Sequence, residues 1–179
     1  MCPEEQGRPH SVMAHLRRII VEVKAEQNCF AHDVLIAIAK VENDPDYDAF
    51  PKGRKIRPVV ETILETNGID LSTGGGILEL VIFQEHFREY KIVVYQGLNC
   101  DNIMFEEQVD SAKRLNILYD DIEETYHVIT NLTRAMAGKY VCKGCNKACT
   151  SDVTHVCEQT CRDCMVCPRA HSGAFEYPA

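Results

Sequence analysis

"GGGILELVIFQEHFREYKIVVYQ", residues 74–96, decides the kind of fold. Within it a helix-like block, 77–90, runs straight into a strand-like block, "KIVVYQ", 91–96. Ile92, Val93, Val94 and Tyr95 are residue types that favour a pleated, half-buried surface. The preceding "STGGG" (72–76) reads as a turn, with Ser72 or Thr73 as the helix cap. A helix that meets a strand with no long linker between them puts both kinds of element in one layered core.

Downstream, "IMFE" (103–106), "LNILYD" (115–120) and "TYHVITNL" (125–132) are three more strand candidates. Short turns and charged loops separate them, so at least part of the sheet is expected to be antiparallel. Upstream, "PVVETILETNGI" reads as a helix over 58–69, with Pro58 in its first turn and Asn67-Gly68 ending it. Pro45, Pro51, Gly53 and Pro58 mark a loop over 44–58. "NCFAHDVLIAIAKVEN" (28–43) reads as a helix that buries Val34, Leu35, Ile38 and Val41, joined by Phe30. "RRIIVEVKAE" (17–26) reads as a short strand. The expectation is an α+β body, 17–138, with a mixed sheet and about three helices. A flexible leader, 1–16, precedes it. A linker, 133–139, leads to a small zinc-binding module over 139–179.

The totals bound the function. With 179 residues and 45 % apolar composition, one domain with a real core plus an appendage is expected. The net charge of −8 argues against a broadly basic nucleic-acid-binding surface. The charge is uneven: residues up to 141 hold 15 Lys and Arg against 23 Asp and Glu, whereas 142–179 hold 4 of each. The first residues, "MCPEEQGRPHSVMAHLRR", contain no apolar signal region, and no apolar run approaches a membrane span. The expected location is therefore intracellular, in nucleus or cytoplasm, not secreted and not in a membrane. There, clustered cysteines bind metal more often than they form disulfides.

Seven of the ten cysteines lie in "YVCKGCNKACTSDVTHVCEQTCRDCMVCPRAH", residues 140–171. A C-x2-C pair on a tight turn places two thiolates roughly 3.5–4 Å apart, the edge of a zinc tetrahedron. Lys143, Gly144, Asn146 and Lys147 suit such a knuckle, the glycine permitting the turn and the lysines offsetting thiolate charge. His155-x-Cys157 can add two ligands from one extended segment. Cys142, Cys145, His155 and Cys157 then close one four-coordinate site. Cys161, Cys164 and Cys167, with Cys149 or His171, can close a second. The candidate ligands are thus Cys142, Cys145, Cys149, His155, Cys157, Cys161, Cys164 and Cys167, with two Zn2+ ions expected.

The competing chemistries fit less well. A disulfide-bonded miniature domain lacks an export signal. A thioredoxin-like pair would sit at a strand–helix junction, and these C-x2-C pairs do not. A catalytic zinc would keep an open position beside a general base, which the spacing does not supply. A tail this poor in apolar residues would take its folding energy from the metal.

Four blocks occur in order: "RRIIVEVKAEQNCFAHDVLIAIA", "GGGILELVIFQEHFREYKIVVYQ", "LNILYDDIEETYHVITNL" and "YVCKGCNKACTSDVTHVC". Over residues 17–167 the series resembles the region upstream of the catalytic core in family B DNA polymerases of Polinton/Maverick-type transposable elements and related viruses. The resemblance implies a non-catalytic accessory portion of a replicative polymerase, with DNA or a replication protein as partner. No paired-aspartate palm signature is present. "DPDYD" (44–48) sits in a proline loop, and Asp121-Ile122-Glu123, which looks like a first exonuclease motif, reads better as a charged strand end. Neither polymerase nor exonuclease chemistry is expected of this chain.

"EQNCFAHD" raises an enzymatic alternative. In ovarian-tumour-type cysteine proteases, which this stretch resembles, an acidic residue lies three before a cysteine at a helix start, as Glu26 does before Cys29. Their general-base histidine opens a later strand. The matching position here is Thr125, which cannot deprotonate a thiol, and His127 lies two residues further on. A cysteine protease built on Cys29 and His127, an inactive relic of that fold, and an ordinary helix cysteine all stay open. The basic run "KGRKIR" (52–57) can touch phosphate, though a solvated loop reads better.

Overall fold

The computed structural model describes residues 19–21, 28–52, 55–71, 75–97, 100, 102–138, 140–142, 145–150 and 155. Five strands form one sheet: β1 (Ile20–Val21), β2 (Lys91–Gln96), β3 (Asn102–Glu106), β4 (Arg114–Asp120) and β5 (Thr125–Ile129), in the order β1-β5-β4-β2-β3. β2 pairs with β4 in parallel, Lys91 against Arg114 through Gln96 against Tyr119, while every other pairing is antiparallel. The sheet is therefore mixed, and the body is α+β. β3 folds back from β2 to the sheet edge. The chain then crosses the start of β2 to lay β4 on its other side. The crossing is tied down where Lys91 N–H donates to the Lys113 carbonyl at 2.8 Å and Ser111 Oγ to the Glu89 carbonyl at 2.6 Å.

Three helices pack on one face: α1 (Cys29–Val41), α2 (Arg57–Asn67) and α3 (Ile77–His86). Their buried side chains, Phe30, Val34, Ile36, Val60, Leu64, Leu80 and Phe83, meet Ile92, Val94, Ile117, Tyr126 and Val128 from the sheet. Phe30 stacks against both Phe83 and Tyr126, with ring centroids 5.0 and 4.9 Å apart. Successive strand residues alternate faces. The opposite face therefore carries Val93, Tyr95, Leu118 and Ile129, which pack with Ile19, Ile20, Cys100 and Ala135. Ala135 belongs to a short α4 (Leu132–Ala135) capped by Asn131, whose Oδ1 accepts from Arg134 N–H at 3.0 Å.

Several boundaries differ from the sequence reading. α1 is buried almost all round, with Ile36 and Ala37 more enclosed than Leu35 and Ile38, because it lies under a full set of neighbours rather than on a surface. α3 stops at His86, not at Tyr90. Gln84, buried within it, donates from Nε2 to the Tyr90 carbonyl at 2.8 Å and accepts the Ile92 N–H at 2.8 Å, so residues 87–90 become a turn. The cap of α3 is Gly76, whose N–H donates to Glu79 Oε2 at 2.8 Å, while Ser72 and Thr73 lie outside the described residues. β5 ends at Ile129, and the stretch read as strand end and linker contains α4. The loop over 44–58 contains a 3-10 turn, Tyr47–Lys52. Of the strand read over 17–26, only Ile20–Val21 is a described strand. α2 ends as expected at Gly68, whose φ of 62° is the left-handed value glycine adopts freely.

Candidate metal centre

Beyond α4 the chain forms a β-hairpin, β6 (Tyr140–Val141) with β7 (Ala148–Cys149), pairing Tyr140 with Cys149 and Val141 with Ala148. Gly138 makes the entry possible: a Cβ there would sit 2.9 Å from the Ala148 Cβ. The first C-x2-C lies at the hairpin tip. Cys142 N–H donates to the Lys147 carbonyl at 3.0 Å, and Asn146 N–H returns to the Cys142 carbonyl at 2.8 Å. Asn146 closes the turn at φ 55°, a left-handed conformation asparagine tolerates better than most residues.

This turn aims Cys142 and Cys145 at one point, and His155 joins them. The two sulfurs and one imidazole nitrogen all lie within 4.8 Å of one another, and Cys145 Sγ is 3.3 Å from His155 Nε2. A tetrahedral ion with sulfur and nitrogen ligands needs edges of roughly 3.6–3.8 Å. The donor set fits: two soft thiols and an imidazole, with Cys142 buried and the other two half-buried. This group can hold a metal ion. Cys149, on β7, turns its Sγ to the Lys147 carbonyl at 3.3 Å and lies outside the group. Cys157, Cys161, Cys164, Cys167 and His171 fall outside the described residues.

Spacing alone missed the support behind the knuckle. Asn146 is 2 % exposed. Its Nδ2 donates to Glu106 Oε2 at 2.7 Å, and its Oδ1 accepts from Arg114 Nη2. Glu106 also pairs with Lys91 Nζ at 2.7 Å. Lys91, Arg114 and Glu106 share the sheet face opposite α1–α3, at the end where β2 and β4 start and β3 finishes. The knuckle is thus docked on the body, on the side where α4 packs. A conformationally special asparagine beside the second cysteine was the only trace of this in the sequence.

The Cys29 and His127 pair is not brought together. Cys29 opens α1, which packs on Tyr126 and Val128 of β5. His127 alternates with those two and lies opposite Leu118, so it faces away from α1. Burial, and next the Asp33 carboxyl one turn along, push the Cys29 thiol up, the reverse of what activates a nucleophile. Asp120 ends β4, is buried, and accepts the Ile122 and Glu123 N–H groups at 2.9 and 3.3 Å, so it caps an exposed turn over 121–124. In the basic run, Lys55 pairs with Asp46 at 2.7 Å, both well exposed. No described helix is long and apolar enough to cross a membrane. No protein-family model, curated protein or solved structure matches the chain.

Proposed function

We propose that the chain is a zinc-binding, non-catalytic accessory unit of DNA replication, the upstream portion of a Polinton/Maverick-type family B polymerase. On this reading it touches nucleic acid or a replication protein through its cysteine-rich end. The observation that carries the metal part is the convergence of Cys142, Cys145 and His155 on one point. Zinc is the ion that such a soft, mixed sulfur and nitrogen set selects for a structural role, with Cys157 as the fourth ligand. Cys161, Cys164 and Cys167, with Cys149 or His171, supply the ligands of a second ion. The ordered sequence blocks support the polymerase part. The placement of Cys29 and His127 on different sides of the sheet weighs against the protease alternative.

Native mass spectrometry of the full chain, with and without chelator, is expected to show two zinc ions lost together with folded-tail charge states. A protein purified without metal, with its tail thiols oxidised, would remove the zinc reading. Binding to single-stranded and duplex DNA is expected to weaken steeply as salt rises. An absence of binding at low salt would leave a protein partner as the ligand of this end.

A further inference from the structure

We infer that Asn146 joins metal occupancy at the knuckle and the order of the sheet end beneath it into one linked equilibrium. The inference rests on the metal reading above. The backbone bond from Asn146 N–H to the Cys142 carbonyl, 2.8 Å, closes the turn that brings the two cysteines together. The same turn aims the Asn146 side chain at the body, where both ends of the amide are used, on Glu106 and on Arg114. Those partners are themselves poorly solvated, with side chains 20 % and 13 % exposed.

A bound ion fixes the cysteines and hence the turn. When the ion leaves, the left-handed turn loses that constraint and rests only on the short hairpin and on the Asn146 side-chain bonds to Glu106 and Arg114. Asn146 then swings out, and Glu106 and Arg114 lose a buried hydrogen-bond partner at the end of β3 and the start of β4. Thermodynamic reciprocity requires the converse: an intact dock raises the affinity for the ion. Residues that orient ligands from behind change metal affinity by about 10–100-fold.

Asn146→Gly separates the two roles of this residue. Glycine adopts the φ of 55° without strain and keeps the N–H that bonds to Cys142, so only the docking side chain is lost. The full chain and this variant would be compared zinc-loaded and chelator-stripped. Amide hydrogen exchange over 91–96, 102–106 and 114–120 would be followed, alongside zinc competition against a chelator. In the wild type, stripping is expected to speed exchange at the end of β3 and the start of β4. In the variant, those amides are expected to exchange fast already with zinc bound, and zinc affinity to fall about tenfold. A zinc-loaded variant with wild-type affinity and protection overturns the inference. So does wild-type protein that binds zinc yet shows the same exchange without it, which leaves the metal site standing. A wild type that holds no zinc removes both.

Discussion

Asp33 is the residue in the body that most resists a structural explanation by packing alone. It lies on α1, fully enclosed, and neither carboxylate oxygen has a hydrogen-bond partner among the described residues. Burial pushes its carboxyl well above the ordinary value, because an enclosed, unpaired charge is far costlier than the neutral acid. The folded protein therefore keeps this proton at pH values where the unfolded chain has lost it. Stability is expected to be greatest below the unfolded-state value of about 3.8, as far as this one group goes, and to fall as pH rises towards the folded-state value. Asp33→Asn removes the ionisation while keeping the shape. The variant is expected to melt at higher temperature than the wild type at pH 7, and the difference is expected to shrink as the pH is lowered towards 5. Thermal melts across that range check this, and a variant that is less stable at every pH would show that the carboxylate has a native role.

At the level of elements, the informative place is the junction of α3 and β2. The apolar pattern of "ILELVIFQEHFREY" runs on past the true helix end, so periodicity alone placed the boundary four residues late. What ends the helix is a tertiary bond set, not a local signal. Gln84 is 1 % exposed and spans from the helix to the Tyr90 carbonyl and the Ile92 N–H. Replacing it with leucine keeps the volume and strands both backbone groups. Each buried group left unsatisfied costs about 1–3 kcal/mol. Gln84→Leu is therefore expected to lose roughly 2–6 kcal/mol in urea unfolding, with an unchanged denaturant slope. A loss under about 0.5 kcal/mol, the scale of a surface change, would show that the turn holds without it. The elements with strong local signals, α2 with its Pro58 and Gly68 and the central strands β2 and β4, were legible from sequence. α4 was not, because four residues give no period to read. The Cys142, Cys145 and His155 group was legible because metal geometry dictates spacing, whereas its dock on Glu106 and Arg114 depends on contacts 40 and 32 residues away.

At the scale of the whole molecule, the two sides of the sheet have different sources of stability. The side under α1, α2 and α3 is a continuous apolar core that no cysteine or histidine of the candidate metal centre enters. The other side is closed by α4, a smaller apolar cluster and the docked hairpin. Burial of apolar area stabilises the first irrespective of any ion. The hairpin has two-residue strands and rests on its turn and on the Asn146 dock, so on the proposed metal reading ligation would add much of what holds it. Removal of metal should therefore act unevenly. Under limited proteolysis with chelator present, the full chain is expected to be cut first within the cysteine-rich segment beyond α4. The fragment left behind should carry β1 to β5 and α1 to α3, keep its far-ultraviolet circular dichroism and still unfold cooperatively. Zinc added back before the protease should protect the segment, and magnesium at the same concentration should not, since thiolate and imidazole ligands discriminate against a hard cation. Equal cutting with and without zinc would mean that metal ligation does not order the segment. Rapid degradation of the entire chain on chelation would mean instead that the sheet cannot stand without its metal-bearing side, and that the apolar core under the helices is too small to define a unit of its own.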